Sequence, residues 1–220
     1  MGIRRIAVYT TAAAGITGCL LDLISFFVFA SRYSGYDPVK QSLSYLGSSN
    51  SPVSDCASHW WIIFGILIIL FAVGFYLAYL HNRKFIRLAA ICIGLYGLGE
   101  GLGSGLFKFD IVGNAKTASY LFHEIFGSIG IFAILVLPFI VAKVASFEKK
   151  TGFRIFTRYI IVFGFVFFVL FSLRLLNVTT GLIILINRFT GLWQKLFLLN
   201  YYIFLIVLGI IMIKDSRNIV

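Results

Sequence analysis

Residues 59–87 read HWWIIFGILIILFAVGFYLAYLHNRKFIR. An apolar run of about 20 residues matches the hydrocarbon thickness of a bilayer, so residues 59–80 predict a membrane-spanning helix. Trp60 and Trp61 stand at one end, where aromatic belts sit, while Arg83, Lys84 and Arg87 crowd the other. Because Lys and Arg collect on the cytoplasmic side, this stretch predicts a span together with its direction.

The pattern recurs on both sides. Further apolar runs predict spans at about 6–31, 88–107, 122–146, 155–176 and 194–213. The expected fold is all-α and polytopic: six transmembrane helices arranged as three hairpins, one integral membrane domain over 1–220, both termini cytoplasmic. The 220 residues are 60% hydrophobic and only 12% charged. That is about half the charged share of an ordinary soluble domain, and no stretch remains for a soluble core.

The net charge of +11 invites a nucleic-acid reading, which its placement removes. In the six-span topology Arg4, Arg5, Arg83, Lys84, Arg87, Lys143, Lys149, Lys150, Arg154, Arg158, Lys214 and Arg217 all fall inside, with only Glu148 and Asp215 against them. This is the positive-inside signature, and it suits contact with anionic lipid. Membrane lipid is the expected partner and nucleic acid is not.

Two N-terminal and cysteine patterns are weaker than they look. Ile16-Thr17-Gly18-Cys19 after Arg4-Arg5 is similar to a lipoprotein cleavage site, but the apolar run continues through Leu20–Ala30, so a retained first span is expected. Cys19, Cys56 and Cys92 form no CxxC pattern, so neither a disulfide framework nor a cysteine metal site is expected. The third span carries Gly94, Gly97, Gly99, Gly101, Gly103 and Gly105. Such density lets helices approach closely, either inside the chain or between copies of it, so a homo-oligomer through this helix is an open expectation.

The chemistry-bearing residues gather towards the outer third. Glu100 falls inside the third span, Asp110 just past it, and His123 and Glu124 at the start of the fourth. Arg174 ends the fifth span; Arg188 and Lys195 follow in the third outer segment, and His59 starts the second span. Asp22, near the middle of the first span, is the exception. A carboxylate in hydrocarbon is costly unless it is paired, wet or working. These residues predict an outward-facing polar pocket, with Glu100 at its floor and Ser44, Tyr120, Arg174 and Arg188 as further ligand-binding candidates.

Three functions fit that pocket. Arg174 suits bidentate capture of a lipid or amphiphile headgroup, which is the leading expectation. His123 with Asp110 or Glu124 suits an intramembrane hydrolase or lipid-modifying enzyme. Glu100 suits a proton-coupled carrier. Glu100 and Arg174 as a purely structural ion pair is the plain competitor. Ser42, Ser44 and Ser104 are possible nucleophiles, though no GxSxG elbow surrounds them. Zinc needs more than the two outer histidines, His59 and His123, since His81 belongs to the opposite side; without an HExxH pattern, no metal or cofactor is expected. A faint echo, Asp37 before Ser44-Tyr45-Leu46 and Asp110 before Ser119-Tyr120-Leu121, is too short to establish a repeat.

Three motifs carry a family resemblance. Tyr36-Asp37-Pro38 with Ser42-Leu43-Ser44-Tyr45-Leu46-Gly47 and Ser51-Pro52, then Gly105-Leu106-Phe107-Lys108-Phe109-Asp110 followed by His123-Glu124, then Gly191-Leu192-Trp193-Gln194-Lys195, resemble the six-pass bacterial and archaeal family catalogued as domain of unknown function 998. Lys108 stands where a proline is common, and Gln194-Lys195 replaces an acid and an arginine. The resemblance implies six passes, a motif cluster on the outer face and a prokaryotic plasma membrane. It implies no activity.

Overall fold

The computed structural model describes residues 2–80, 83–113, 115–144, 147, 150–176 and 181–217. Six helices are long and apolar enough to cross a membrane, and the chain is an integral membrane protein on that ground. They are α1 (Ile3–Ser31), α2 (Ser54–Ala78), α3, α4 (Ala118–Val141), α5 (Thr151–Ser172) and α7 (Thr190–Ser216), with a short α6 (Gly181–Asn187) before the last. Helix α3 runs from Arg83 to Tyr96, widens into a π-helical stretch over Gly97–Gly103, and resumes over Ser104–Leu106. A two-residue ribbon, β1 (Ile111–Val112) with β2 (Ala115–Lys116), forms the tip of the loop between α3 and α4. His81, Glu148, Lys149 and residues 177–180 lie outside the described residues.

Hydropathy marks where a helix enters hydrocarbon rather than where its hydrogen bonding begins. Helix α2 therefore starts at Ser54, a turn before the apolar run, with Asp55 favoured by the positive end of the helix dipole. Helix α4 starts at Ala118 because the Thr117 hydroxyl accepts the Tyr120 N–H at 3.1 Å, an N-cap. His59 and His123 thus stand more than a turn inside their helices rather than at their starts.

The six long helices close into a ring in chain order, each packed on the next and α7 back on α1. The α4–α5 seam is by far the loosest of these contacts. Polar links fasten the end that carries both termini. Arg4 donates twice to the Leu77 carbonyl, at 3.0 and 2.9 Å. Asp215 accepts from Tyr79 at 3.0 Å and pairs with Lys150 at 3.2 Å.

The glycines of α3 divide by spacing. Gly97, Gly101 and Gly105, four apart, face α2 at Gly65, Ile68, Ile62 and Ser58; Gly99 and Gly103 face α4 at Phe126 and Gly130. The ridge is thus used between neighbouring helices of one chain, and Glu100 lies between its two faces. A Cβ on Gly65 would stand 2.6 Å from the Gly97 carbonyl oxygen and 2.7 Å from the Leu102 nitrogen, both backbone atoms. Gly65→Ala is therefore expected to cost about 1–3 kcal/mol through overpacking, lowering the melting temperature in detergent. Gly152→Ala, with nothing within 4 Å, is expected to melt like the parent. Equal melting of the two variants would contradict this packing.

Candidate functional site

The site is built at the loop end of the ring, beginning with residues 32–53. Asp37 caps the turn that follows it, accepting the Val39 and Lys40 N–H groups at 3.0 and 3.2 Å and pairing with the Lys40 ammonium at 2.9 Å. The Lys40 side chain chiefly, and then the Val39 N–H, hold the Asp37 carboxyl below its usual range. Its support for the loop is complete above the ordinary carboxylate pKa and is lost as pH falls through the lowered value. The first turns of α7 then take hold of the segment. Lys195 Nζ donates to the carbonyls of Pro38 (2.7 Å) and Gln41 (3.3 Å) and to the Tyr36 hydroxyl (3.2 Å). Leu192 N–H donates to the Val39 carbonyl at 2.9 Å, and Gln194 Oε1 accepts the Leu43 N–H at 2.7 Å. Gly191 makes this approach possible, since a Cβ there would meet the Pro38 carbonyl at 2.7 Å.

Held this way, the loop turns through a 3₁₀ helix, Leu43–Gly47, which presents Ser44 to α4. His123 is buried, and both its nitrogens are engaged: Nδ1 with the Phe107 carbonyl at 2.9 Å and Nε2 with Ser44 Oγ at 3.0 Å. A carbonyl can only accept, so Nδ1 carries a proton. In the neutral ring Nε2 is then the acceptor, and Ser44 donates to it. Phe109, packed on Tyr45, Tyr120 and the His123 ring with centroids 5.4, 4.6 and 5.5 Å away, covers the arrangement.

Two adjoining cavities of about 30 and 40 Å³ meet at this point, sharing Ser44, Glu100, His123 and Gln194 in their walls. One extends to Asp22, Ser104 and Tyr202, the other towards the α4–α5 seam at Glu124, Ser128, Phe171 and Arg174. Volumes of this size, lined by several polar groups, admit a few waters each. Every long helix contributes a residue. Gly127 and Gly130 of α4 leave room for Glu100: a Cβ would lie 3.4 Å from its Oε1 at Gly127 and 3.1 Å from its Cγ at Gly130.

The sequence candidates fall in different places. Glu100, Glu124, His123, Ser44 and Arg174 are brought together around the cavities. Asp110 is not bonded to His123: its two oxygens accept the Ser49 N–H and hydroxyl, each at 2.7 Å, and join the first two loops. Since the ring nitrogens of His123 take Phe107 and Ser44, neither Asp110 nor Glu124 is its hydrogen-bond partner. Tyr120 belongs to the aromatic cover, with Lys116 Nζ over its ring at 4.8 Å. Arg188 is exposed beyond α6. His59 is exposed and spends Nδ1 on its own helix. Among the described residues no group of three metal-ligating side chains occurs.

Glu100 and Arg174 line one cavity without an ion pair between them; the ion pairs among the described residues are Lys40–Asp37, Lys108–Asp55 and Lys150–Asp215. Asp22 is no exception to the cluster. Buried in α1, it accepts Trp60 Nε1–H at 2.7 Å and the Tyr202 hydroxyl at 2.6 Å, and it reaches the same cavity as Glu100. Ser104, a nucleophile candidate in the sequence, does line the cavity, whereas Gln194 and Tyr202 were not expected there because neutral side chains beside apolar runs carry little local signal. The one hint was the departure at Gln194.

This geometry defines a six-helix integral membrane protein with a polar cavity at the loop end of its ring. The chain belongs to the family described as protein of unknown function (DUF998), whose model matches residues 16–211. Comparison with curated proteins and with solved structures gives no match. The three sequence motifs of the resemblance meet physically: Ser44 bonds His123, Ser49 bonds Asp110, and Leu43 bonds Gln194.

Asp22→Ala strands two buried donors, Trp60 N–H and Tyr202 O–H, at about 1–3 kcal/mol each. Tyr202→Phe removes one donor and leaves Asp22 bonded to Trp60. Melting in detergent is expected to fall several-fold further for Asp22→Ala than for Tyr202→Phe; equal losses would contradict the hub.

Proposed function

We propose that this protein holds the headgroup of a membrane lipid or similar amphiphile in the cavity beside Arg174, with the loop end facing outward from a prokaryotic plasma membrane. The orientation is supported by the Lys and Arg excess around the termini and the α2–α3 and α4–α5 turns. The observation that carries the reading is Arg174 itself. Its guanidinium lies over the Phe171 ring at 4.1 Å, and its buried Nε has no hydrogen-bond partner among the described residues. It borders a cavity that also holds Glu100 and Glu124. A buried guanidinium N–H without an acceptor is costly, and a ligand oxyanion supplies one.

The charges choose among headgroups. One guanidinium faces two carboxylates in the same walls, so a purely anionic group meets repulsion. A zwitterion suits them better, its phosphate or carboxylate on Arg174 and its ammonium on Glu100 and Glu124. The cavity volume sets a further condition: water fits and a headgroup does not. Binding therefore requires α4 and α5 to part along their loose seam, the side open to acyl chains.

Native mass spectrometry of the detergent-purified protein tests this. A stoichiometric zwitterionic lipid is expected on the parent chain, reduced at least tenfold in Arg174→Ala and Glu100→Gln. Ser128→Trp, which fills the seam side of the cavity, is expected to lose it as well. Lipid retained unchanged in all three variants would exclude the pocket.

A further inference from the structure

The hydrogen bonds of His123 do more than pin a loop. We infer that Ser44 and His123 form a nucleophile–base pair for acyl transfer, with an ester of a membrane amphiphile as the substrate class; that class, and nothing else here, rests on the headgroup reading. The order of donors is the one such chemistry needs: Ser44 O–H to Nε2, and Nδ1–H to a fixed acceptor, the Phe107 carbonyl. The carbonyl fixes the ring's tautomer and orientation, the role a carboxylate fills in the triads that use one. A loop pin needs only the bonds. Here the serine is also half-buried and lines both polar cavities, so water has a place beside it and an ester carbonyl gains one as the cavity widens.

Gln194 supplies the remaining part. Its Oε1 is taken by the Leu43 N–H, which leaves its amino group as the donor in cavity walls that also hold Ser44. Amide donors of this kind stabilise the oxyanion of acyl transfer. The steps balance without any further reagent but water. Ser44 Oγ attacks the ester carbonyl carbon while its proton passes to His123 Nε2, and the carbonyl oxygen becomes an oxyanion facing Gln194. The bond to the leaving alcohol breaks as Nε2 returns the proton to that oxygen, leaving acyl-Ser44. Water then attacks the acyl carbon, gives its proton to Nε2, and the carboxylic acid leaves as Ser44 recovers its proton.

The test uses an alkyl fluorophosphonate on the full chain in detergent micelles, with peptide mapping by mass spectrometry. The expected result is a single adduct on Ser44, absent in Ser44→Ala and formed at least 100-fold more slowly in both His123→Ala and His123→Gln. Ser42→Ala, two residues away, is expected to label like the parent. Cooperative melting of each variant separates lost chemistry from lost folding. No adduct on Ser44 in the folded parent, or unchanged labelling in the folded His123 variants, overturns the inference. Because the probe carries no headgroup, its outcome stands whether or not lipid is retained by the purified protein.

Discussion

An ionised carboxylate inside a hydrocarbon-facing bundle needs donors or water, and this constraint organises the loop end of the molecule. Its acids meet the requirement in different ways. Asp22 takes donors from α2 and α7, Trp60 and Tyr202, and so ties α1 to both. Glu100 has no hydrogen bond among the described residues and instead faces cavities with room for water. Asp110 leaves the bundle and clamps two loops through Ser49. What sets Glu100 apart from Asp22 and Asp110 is that no hydrogen bond among the described residues satisfies it.

The backbone around Glu100 is arranged to make that possible. Glycines on two faces of α3 bring α2 and α4 into close contact on either side of it, and the π-helical widening, Gly97–Gly103, covers all of them but Gly105. A π segment offsets the side chains that follow it relative to an α-helix, and such segments recur at functional sites. The outcome is a closely packed wall of α2, α3 and α4, while α5 packs firmly on α7 and only sparsely on α4. Arg174 stands on the sparse side of the cavity and His123, bonded to Ser44, on the closely packed side.

Much of this fold was legible in the sequence because hydrocarbon imposes a simple code. Six apolar runs gave six helices, and the loops fell between them. Element ends were less legible: α2 and α4 begin before their apolar runs, where Asp55 and the Thr117 cap act through local hydrogen bonding and dipole rather than hydropathy. The site was half legible. Charges inside spans announced Glu100, His123, Glu124 and Arg174, but partners did not follow from proximity in sequence. His123 pairs with Ser44, 79 positions away, rather than with its neighbour Glu124. Tyr202 had no signal and Gln194 only its departure from the family pattern, since their partners, Asp22 and Leu43, lie far away in sequence.

The central claim is that Ser44 lines a cavity with room for water beside His123, and that the proposed parting of α4 and α5 makes it reachable from the outer face. Ser44→Cys in a Cys56→Ser background tests it directly, because a thiol reacts with a charged reagent only where water and a thiolate form. With a membrane-impermeant methanethiosulfonate on intact cells, the account predicts rapid modification of the new cysteine, slowed at least tenfold by His123→Ala. Modification confined to inside-out vesicles would reverse the orientation. No modification from either side would mean that the cavity is sealed, and the account would be wrong.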